Sequence, residues 1–254
     1  MGGRRATAGR TAAQRFRALL AAKGIWAAEA RVATTSGGNV VAFKDLISPS
    51  KLYPISAGTL AQATADAALS GAATCTFNGT QRATSDQPAS TFKRGHDGTG
   101  YEQYDLIVPV LGVGAYQQIT TTQGTGVTDG VGVYLTDNTA AVGRMPLYIF
   151  NAGATPVAYD TTPDSLTTGV GALMGYTLSA ALWERRFGSA VVASGTPGTL
   201  SANSPSQTLN IGARFDQSQP FQSRWFGSYG FLPLTAGERA ALYAYVTAQT
   251  GVVP

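Results

Sequence analysis

The chain has 254 residues, 44% hydrophobic and only 13% charged, where a globular domain usually carries about 25% charge. Its surface must therefore be built from Thr, Ser, Gln, Asn, Gly and backbone, which excludes a charged disordered tail and a Glu/Lys/Leu-rich coiled coil. The 31 Gly and 12 Pro have no three-residue period, which excludes a collagen-like chain, and no run of about 18 apolar residues offers a membrane-spanning helix.

The net charge of +4 is unevenly placed. Residues 1–31 hold seven basic side chains against Glu29 alone, while the remainder has 11 basic and 13 acidic. The basic character thus belongs to an N-terminal arm, as in a segment that docks on an acidic surface. The arm has neither the apolar core of a secretory signal nor a myristoylation motif, since position six is Ala6. Cys75 is the single cysteine. It lies in an apolar strand-like run and is expected to be a buried, inert thiol.

In chain order, residues 11–24 read as a helix. Thr11 and Gln14 have capping-box spacing, Phe16, Leu19 and Leu20 share one face, and Gly24 is a stop. From Ile25 to about residue 233 the chain becomes short β-branched and aromatic runs between Gly, Asn, Asp and Pro clusters. The runs are 40–43, 73–77, 104–110, 116–120, 131–135, 147–151, 173–178, 182–187, 208–212 and 225–231. Residues 61–68 are read as a helical turn. Thr235 and Glu238 open a final helix over about 236–249, ended by Gly251. Many short strands without interleaved helices predict an all-β sandwich.

The C-terminal text is specific. Ser206–Gly212 is a strand ending in Ile-Gly; Trp225–Phe231 follows, then Leu234-Thr235-Ala236-Gly237-Glu238-Arg239 opens the helix. This resembles the end of concanavalin A-like, laminin-G-like jelly rolls. Looser matches are Val40–Leu46, with Phe43 where that family usually has Trp, and the Phe77-Asn78-Gly79 turn. The resemblance implies a concanavalin A-like jelly-roll β-sandwich over residues 25–254, with a short N-terminal arm and helix (1–24) and a C-terminal helix. Domains of this kind occur in sugar-binding modules, in glycosidases, and in phage virion and tail proteins.

Chemistry is sparsely marked. A retaining glycosidase needs two carboxylates about 5–5.5 Å apart, yet the family's Glu-x-Asp-x-x-Glu string is absent and the glutamates are Glu29, Glu102, Glu184 and Glu238 alone. Glu102 and Asp105, three apart on a strand, face opposite ways. His96 is the sole histidine and lies in a Gly-rich stretch read as an exposed turn. No catalytic residue is assigned and no metal or other cofactor is expected. Calcium at Asp129-Gly130, Asp137-Asn138 or Asp160 and Asp164 is carried as a weaker possibility against ordinary turn chemistry. Tyr53, Tyr101, Tyr159 and Trp183 adjoin loops and are candidates for stacking on sugars.

The leading expectation is a non-enzymatic structural component of a phage or phage-like particle, assembled in the host cytoplasm and located in the virion. Its arm, through Arg4, Arg5, Arg10, Arg15, Phe16, Arg17, Leu19 and Leu20, would bind other subunits of the assembly. The second expectation is a glycan-binding module, adhesin or lectin-like; the third is a glycoside hydrolase. A nucleic-acid partner is not expected.

Overall fold

The computed structural model describes residues 10–113, 116–124, 129–136, 147–150, 158–159, 166–214, 216 and 219–254. Its strand pairings are antiparallel throughout and form two stacked sheets. Sheet A runs β15 (Ala190–Gly195), β14 (Trp183–Phe187), β13 (Ala172–Leu178), β8 (Tyr101–Val108), β17 (Arg224–Phe231), β1 (Gly24–Ser36), β2 (Asn39–Asp45) and β3 (Leu52–Ala57). The far end of β3 pairs into sheet B, which continues through β7 (Arg82–Thr84), β16 (Asn210–Ile211), β9 (Tyr116–Thr121), β10 (Gly130–Thr136), β11 (Leu147–Phe150) and β12 (Ala158–Tyr159). β4 (Leu60–Ala61) extends β2, and the hairpin of β5 (Thr64–Asp66) and β6 (Ala72–Thr76) leans on β17. The protein is an all-β sandwich, as its turn-punctuated text implies.

Alternation along the sheet-A strands divides the side chains between two cores. Trp26, Ala28, Tyr101, Ile107, Met174, Tyr176, Leu178 and Trp225 point inward between the sheets. Ala27, Tyr104, Leu106, Leu173, Tyr229 and Phe231 point outward, where they meet α1 (Ala12–Lys23) and α2 (Ala236–Thr250). The inner core admits a polar thread. Trp26 donates to the Tyr101 hydroxyl at 2.8 Å, in space left by Gly230, where a Cβ would stand 2.2 Å from the Trp26 Nε1. Deeper in, Asp105 accepts from Ser228 and from Gln103 Nε2. Burial of Asp105 among these neutral groups raises its pKa to about 6, against which its two hydrogen bonds act.

Both helices form as their capping signals predict. Thr11 with Gln14, and Thr235 with Glu238, make complete capping boxes, and Gly251 closes α2 at φ +70°. Residues 61–68 do not form the expected helical turn: they supply β5 and lead to a single 3-10 turn at Ala67–Leu69, capped by the Asp66 side chain. β1 is a long strand that the sequence pattern does not single out. Cys75 is buried and its thiol is pushed up to about 12 by desolvation, as expected of an inert cysteine.

The apolar face of α1 is used within the chain. Phe16 is 2% exposed, stacks on Tyr245 at 3.9 Å and meets the edge of Tyr229 at 5.5 Å. Phe16, Leu19 and Leu20 are therefore core residues, a correction to their reading as an anchor for another subunit. Arg10, Arg15 and Arg17 stay exposed, and Arg4 and Arg5 lie outside the described residues.

Two outcomes follow. Phe16→Ala is expected to destabilise the whole domain by about 3–5 kcal/mol, the usual result of truncating a buried aromatic; urea unfolding measures it. Asp105 holds its proton more tightly folded than unfolded. Its contribution is fully favourable below about pH 4 and is lost as pH rises through about 6. Over that window the loss is on the order of 3 kcal/mol. Melting temperatures between pH 4 and 7 should show this slope, and Asp105→Asn should flatten it whatever that variant's absolute stability.

Candidate functional site

The outward face of sheet A is largely closed by the helices, and two buried carboxylates hold them there. Glu29, fully buried on β1, accepts from the Tyr229 hydroxyl at 2.8 Å, from the Tyr245 hydroxyl at 2.6 Å and from Arg31. Glu102 on β8 accepts from Arg239 Nε (2.9 Å) and Nη2 (2.5 Å), from the Leu234 amide (2.9 Å) and from the Tyr104 hydroxyl (2.9 Å). The bond to Glu102 raises the pKa of Arg239, against desolvation.

Beside α2 this face retains a cleft of about 330 Å³ that both Glu102 and Glu184 line. Glu102 pairs in register with Thr177, and Thr177 with Glu184. The two carboxylates thus stand two strand spacings apart, roughly 9–10 Å. That approaches the separation of an inverting glycosidase pair, but their bonding does not suit the role. Glu102 is 1% exposed and all its lone pairs are engaged by four donors. Glu184 accepts from Thr177 and from Arg186. Glu102 is the carboxylate of a structural ion pair.

The outward face of sheet B is different. Register carries a row of neutral polar side chains across it: Thr84 opposite Asn210, Asn210 opposite Thr121, and Thr121 opposite Gly132. Ser56 extends the row at the β3 edge, 2.6 Å from the Thr84 hydroxyl, and Thr84 donates to Asn210 Oδ1 at 2.8 Å. Tyr134 is opposite Gln118 in the next row. The Tyr134 ring folds back over Gly132, where a Cβ would come within 2.4 Å of it. Its hydroxyl donates to Gln123 Oε1 at 3.0 Å.

Polarity alone does not make a site, since outward strand residues are commonly polar. This face adds depth and incomplete bonding, which it shares with Gln87, the Arg186 Nε and the Tyr243 hydroxyl elsewhere in the chain. Gln118 is fully buried, yet neither Nε2 nor Oε1 has a hydrogen-bond partner. The Gln118 backbone N–H donates to the Gln219 backbone carbonyl at 2.9 Å. Gln219 itself sits at φ +56°, a left-handed conformation unusual for a non-glycine residue, and its Oε1 is likewise buried and unpartnered. A polar atom withdrawn from water without a partner forgoes on the order of 1–3 kcal/mol. At the accessible end, Arg214 pairs with Asp216 through two bonds of 3.1 and 2.8 Å.

The aromatic candidates from sequence fall elsewhere. Tyr53, Tyr101 and Trp183 are buried, Tyr53 donating to Asp45 at 2.7 Å and Tyr101 to Gln103 at 3.2 Å. They are core residues rather than a stacking platform. Tyr159 takes a register position on β12 opposite Tyr148. His96 is fully buried, not exposed: the 3-10 segment Ala89–Gly95 packs Phe92 into the core and carries it in. Burial lowers its pKa, opposed by a bond from its Nε2 to the Asn203 carbonyl. Of the calcium candidates, Asp129 accepts from Asn203 Nδ2 at 3.1 Å. Asp137, Asp160 and Asp164 lie outside the described residues.

No protein-family model matches the sequence, and no curated protein matches it. Solved structures do. A GH54 α-L-arabinofuranosidase is similar over 96% of this chain and 66% of its own, at 10% identity and a TM-score of 0.64. A sialidase of Trypanosoma rangeli is similar over 89% of this chain and 33% of its own, at 11% identity and a TM-score of 0.55. The enzymatically active domain of bacteriophage CBA120 tailspike protein 2 covers 74% of this chain and 29% of its own, at 12% identity and a TM-score of 0.50. The chain thus spans just under two thirds of the arabinofuranosidase and a third of the sialidase.

At such identities the likeness is one of fold. It corrects the leading expectation all the same. The reading as a non-enzymatic structural component of a phage particle rested on a jelly roll displayed by an anchoring arm. The chains that share this fold over most of its length are glycosidases and a sialidase, and the helix assigned to the anchor is packed into its own domain.

Glu102→Gln is expected to lower stability by about 3–5 kcal/mol, because it leaves Arg239 half-buried without its charge partner. Denaturant unfolding reads this. Retention of wild-type stability would return Glu102 to the list of candidate acids.

Proposed function

We propose that this domain recognises carbohydrate through the outward face of sheet B. The observation that carries the proposal is the buried side-chain amide of Gln118, unpartnered at both ends, with the unpartnered Oε1 of the partly exposed Gln219 near it, set beside a row of hydroxyls and amides from Ser56 to Thr121. Sugars present alternating hydroxyl donors and acceptors, and side-chain amides answer both at once.

The sandwich fold shared with an arabinofuranosidase supports a carbohydrate ligand and leaves turnover as a question for the same experiment. On the described part of this face Asp216 is bound to Arg214, and a hydrolytic pair would need a second carboxylate. A phage setting is supported only as far as the tailspike likeness in fold goes.

The test is a glycan array probed with the full chain, with and without calcium, followed by assay of bound glycans for new reducing ends. Binding to a defined class is expected. Gln118→Met should abolish it while leaving the melting temperature unchanged or higher, since an unpartnered buried amide contributes no bond to the fold. An array without hits in either condition would sink the reading. Release of reducing ends would make the domain a hydrolase.

A further inference from the structure

We infer that the accessible end of this face selects a glycan bearing a carboxylate, with Arg82 as the residue that reads it. The inference rests on the carbohydrate reading and adds a ligand class to it. Arg82 and Thr84 lie two apart on β7 and share its outward side, Ala83 between them being core.

The Arg82 guanidinium is held without a carboxylate. Its Nε donates to the Ser56 hydroxyl at 3.0 Å and its Nη1 to the Arg214 carbonyl at 3.4 Å, both neutral acceptors. The carboxylate nearby, Asp216, is engaged by Arg214. Among the arginines that project from the sandwich near an acid, the usual arrangement here is direct pairing: Arg186 with Glu184, Arg224 with Asp66, Arg239 with Glu102. Arg82 departs from it. Two of its five N–H donors are spent on fixing the plane of the group, and the other three have no partner among the described residues. Half-burial without a paired anion lowers its pKa, opposed by the more distant Asp216.

A guanidinium oriented by neutral acceptors, with an unspent edge, is suited to receive a planar carboxylate through two parallel hydrogen bonds. It stands where the polar row is open: Ser56 is exposed and Thr84 half-buried, whereas Asn210 and Thr121 are buried. A uronate or sialyl residue at this mouth would place its acid on Arg82 and its neighbouring sugar along Thr84 and Asn210.

The experiment compares oligouronates and sialyl-oligosaccharides with the same chains after reduction of the carboxyl to an alcohol, and with their sulfated neutral counterparts. For the full chain, the carboxylated form should bind about ten- to a hundredfold more tightly than the reduced one, as expected of a charge-assisted bidentate contact. Arg82→Gln should erase that ratio at unchanged melting temperature, and Arg82→Lys should keep only a minor part, having the charge without the fork. Equal affinity for carboxylated and reduced chains, a ratio that survives Arg82→Gln, or preference for the sulfated chain would each overturn the inference while leaving carbohydrate recognition standing. Failure to bind any of these chains, together with an empty array, would overturn both.

Discussion

Two carboxylates with no access to water determine how the layers of this protein meet. Glu29 and Glu102 both sit on the outward side of sheet A, and a charge in that position is tolerable only with a full set of donors. The donors come from elsewhere in the chain. Tyr245 on α2 serves Glu29; Arg239 on the same helix, and the Leu234 amide just before it, serve Glu102. One helix is thus fastened at two points, Arg239 in its first turn and Tyr245 beyond its middle. Once α2 is placed, Tyr245 offers the ring on which Phe16 stacks, and α1 follows. The N-terminal helix is ordered by the domain it covers, which is why its apolar face has nothing left to offer a partner.

Apolar outward residues on β1, β8, β13 and β17 exist to meet the helices, and in the cleft left beside them both carboxylates are already paired, while Arg186 keeps one buried Nε without a partner. Sheet B bears the opposite pattern on its outward side: hydroxyls and amides in register, with no salt bridge among the buried ones. The low charge of the whole chain fits such a face.

The parts of this architecture legible in the sequence are those set by local rules. Thr11 with Gln14 and Thr235 with Glu238 announce both helices, because a capping box involves only neighbours in sequence. The strand-turn text after Ser206 announces the sandwich. β1 escapes because Glu29 and Arg31 interrupt a strand pattern with charges; only the tyrosines of β17 and α2, about 200 residues later, explain them. His96 is misread for a related reason: its surroundings are glycine-rich and polar, and Phe92, four residues earlier, is what pulls the segment inward. The candidate site was the least legible. Thr84, Asn210 and Thr121 become neighbours through strand register, which periodicity within one strand does not encode. Gln118 falls inside a correctly placed strand, yet nothing in its neighbours says that its amide will be left without a partner.

The unpartnered Gln118 amide and Gln219 Oε1 fit the stability of the fold as a whole. Natural domains are stable by roughly 5–15 kcal/mol, so forgone bonding at Gln118 and Gln219, with backbone strain at Gln219, is a real fraction of the total. Such a deficit persists only where the rest of the structure over-determines the conformation. Here it is surrounded by saturated groups: Gln117 bonds to Val110, Gln222 and Ser223, and Thr121 to Val131 and Gln123. Adjacent glutamines on one strand, Gln117 and Gln118, thus have opposite fates. The first spends its amide on the sandwich; the second keeps both ends free. Alternation sends them to opposite sides of the sheet, and the contrast separates the side that faces the sandwich core from the side that leaves an amide unspent.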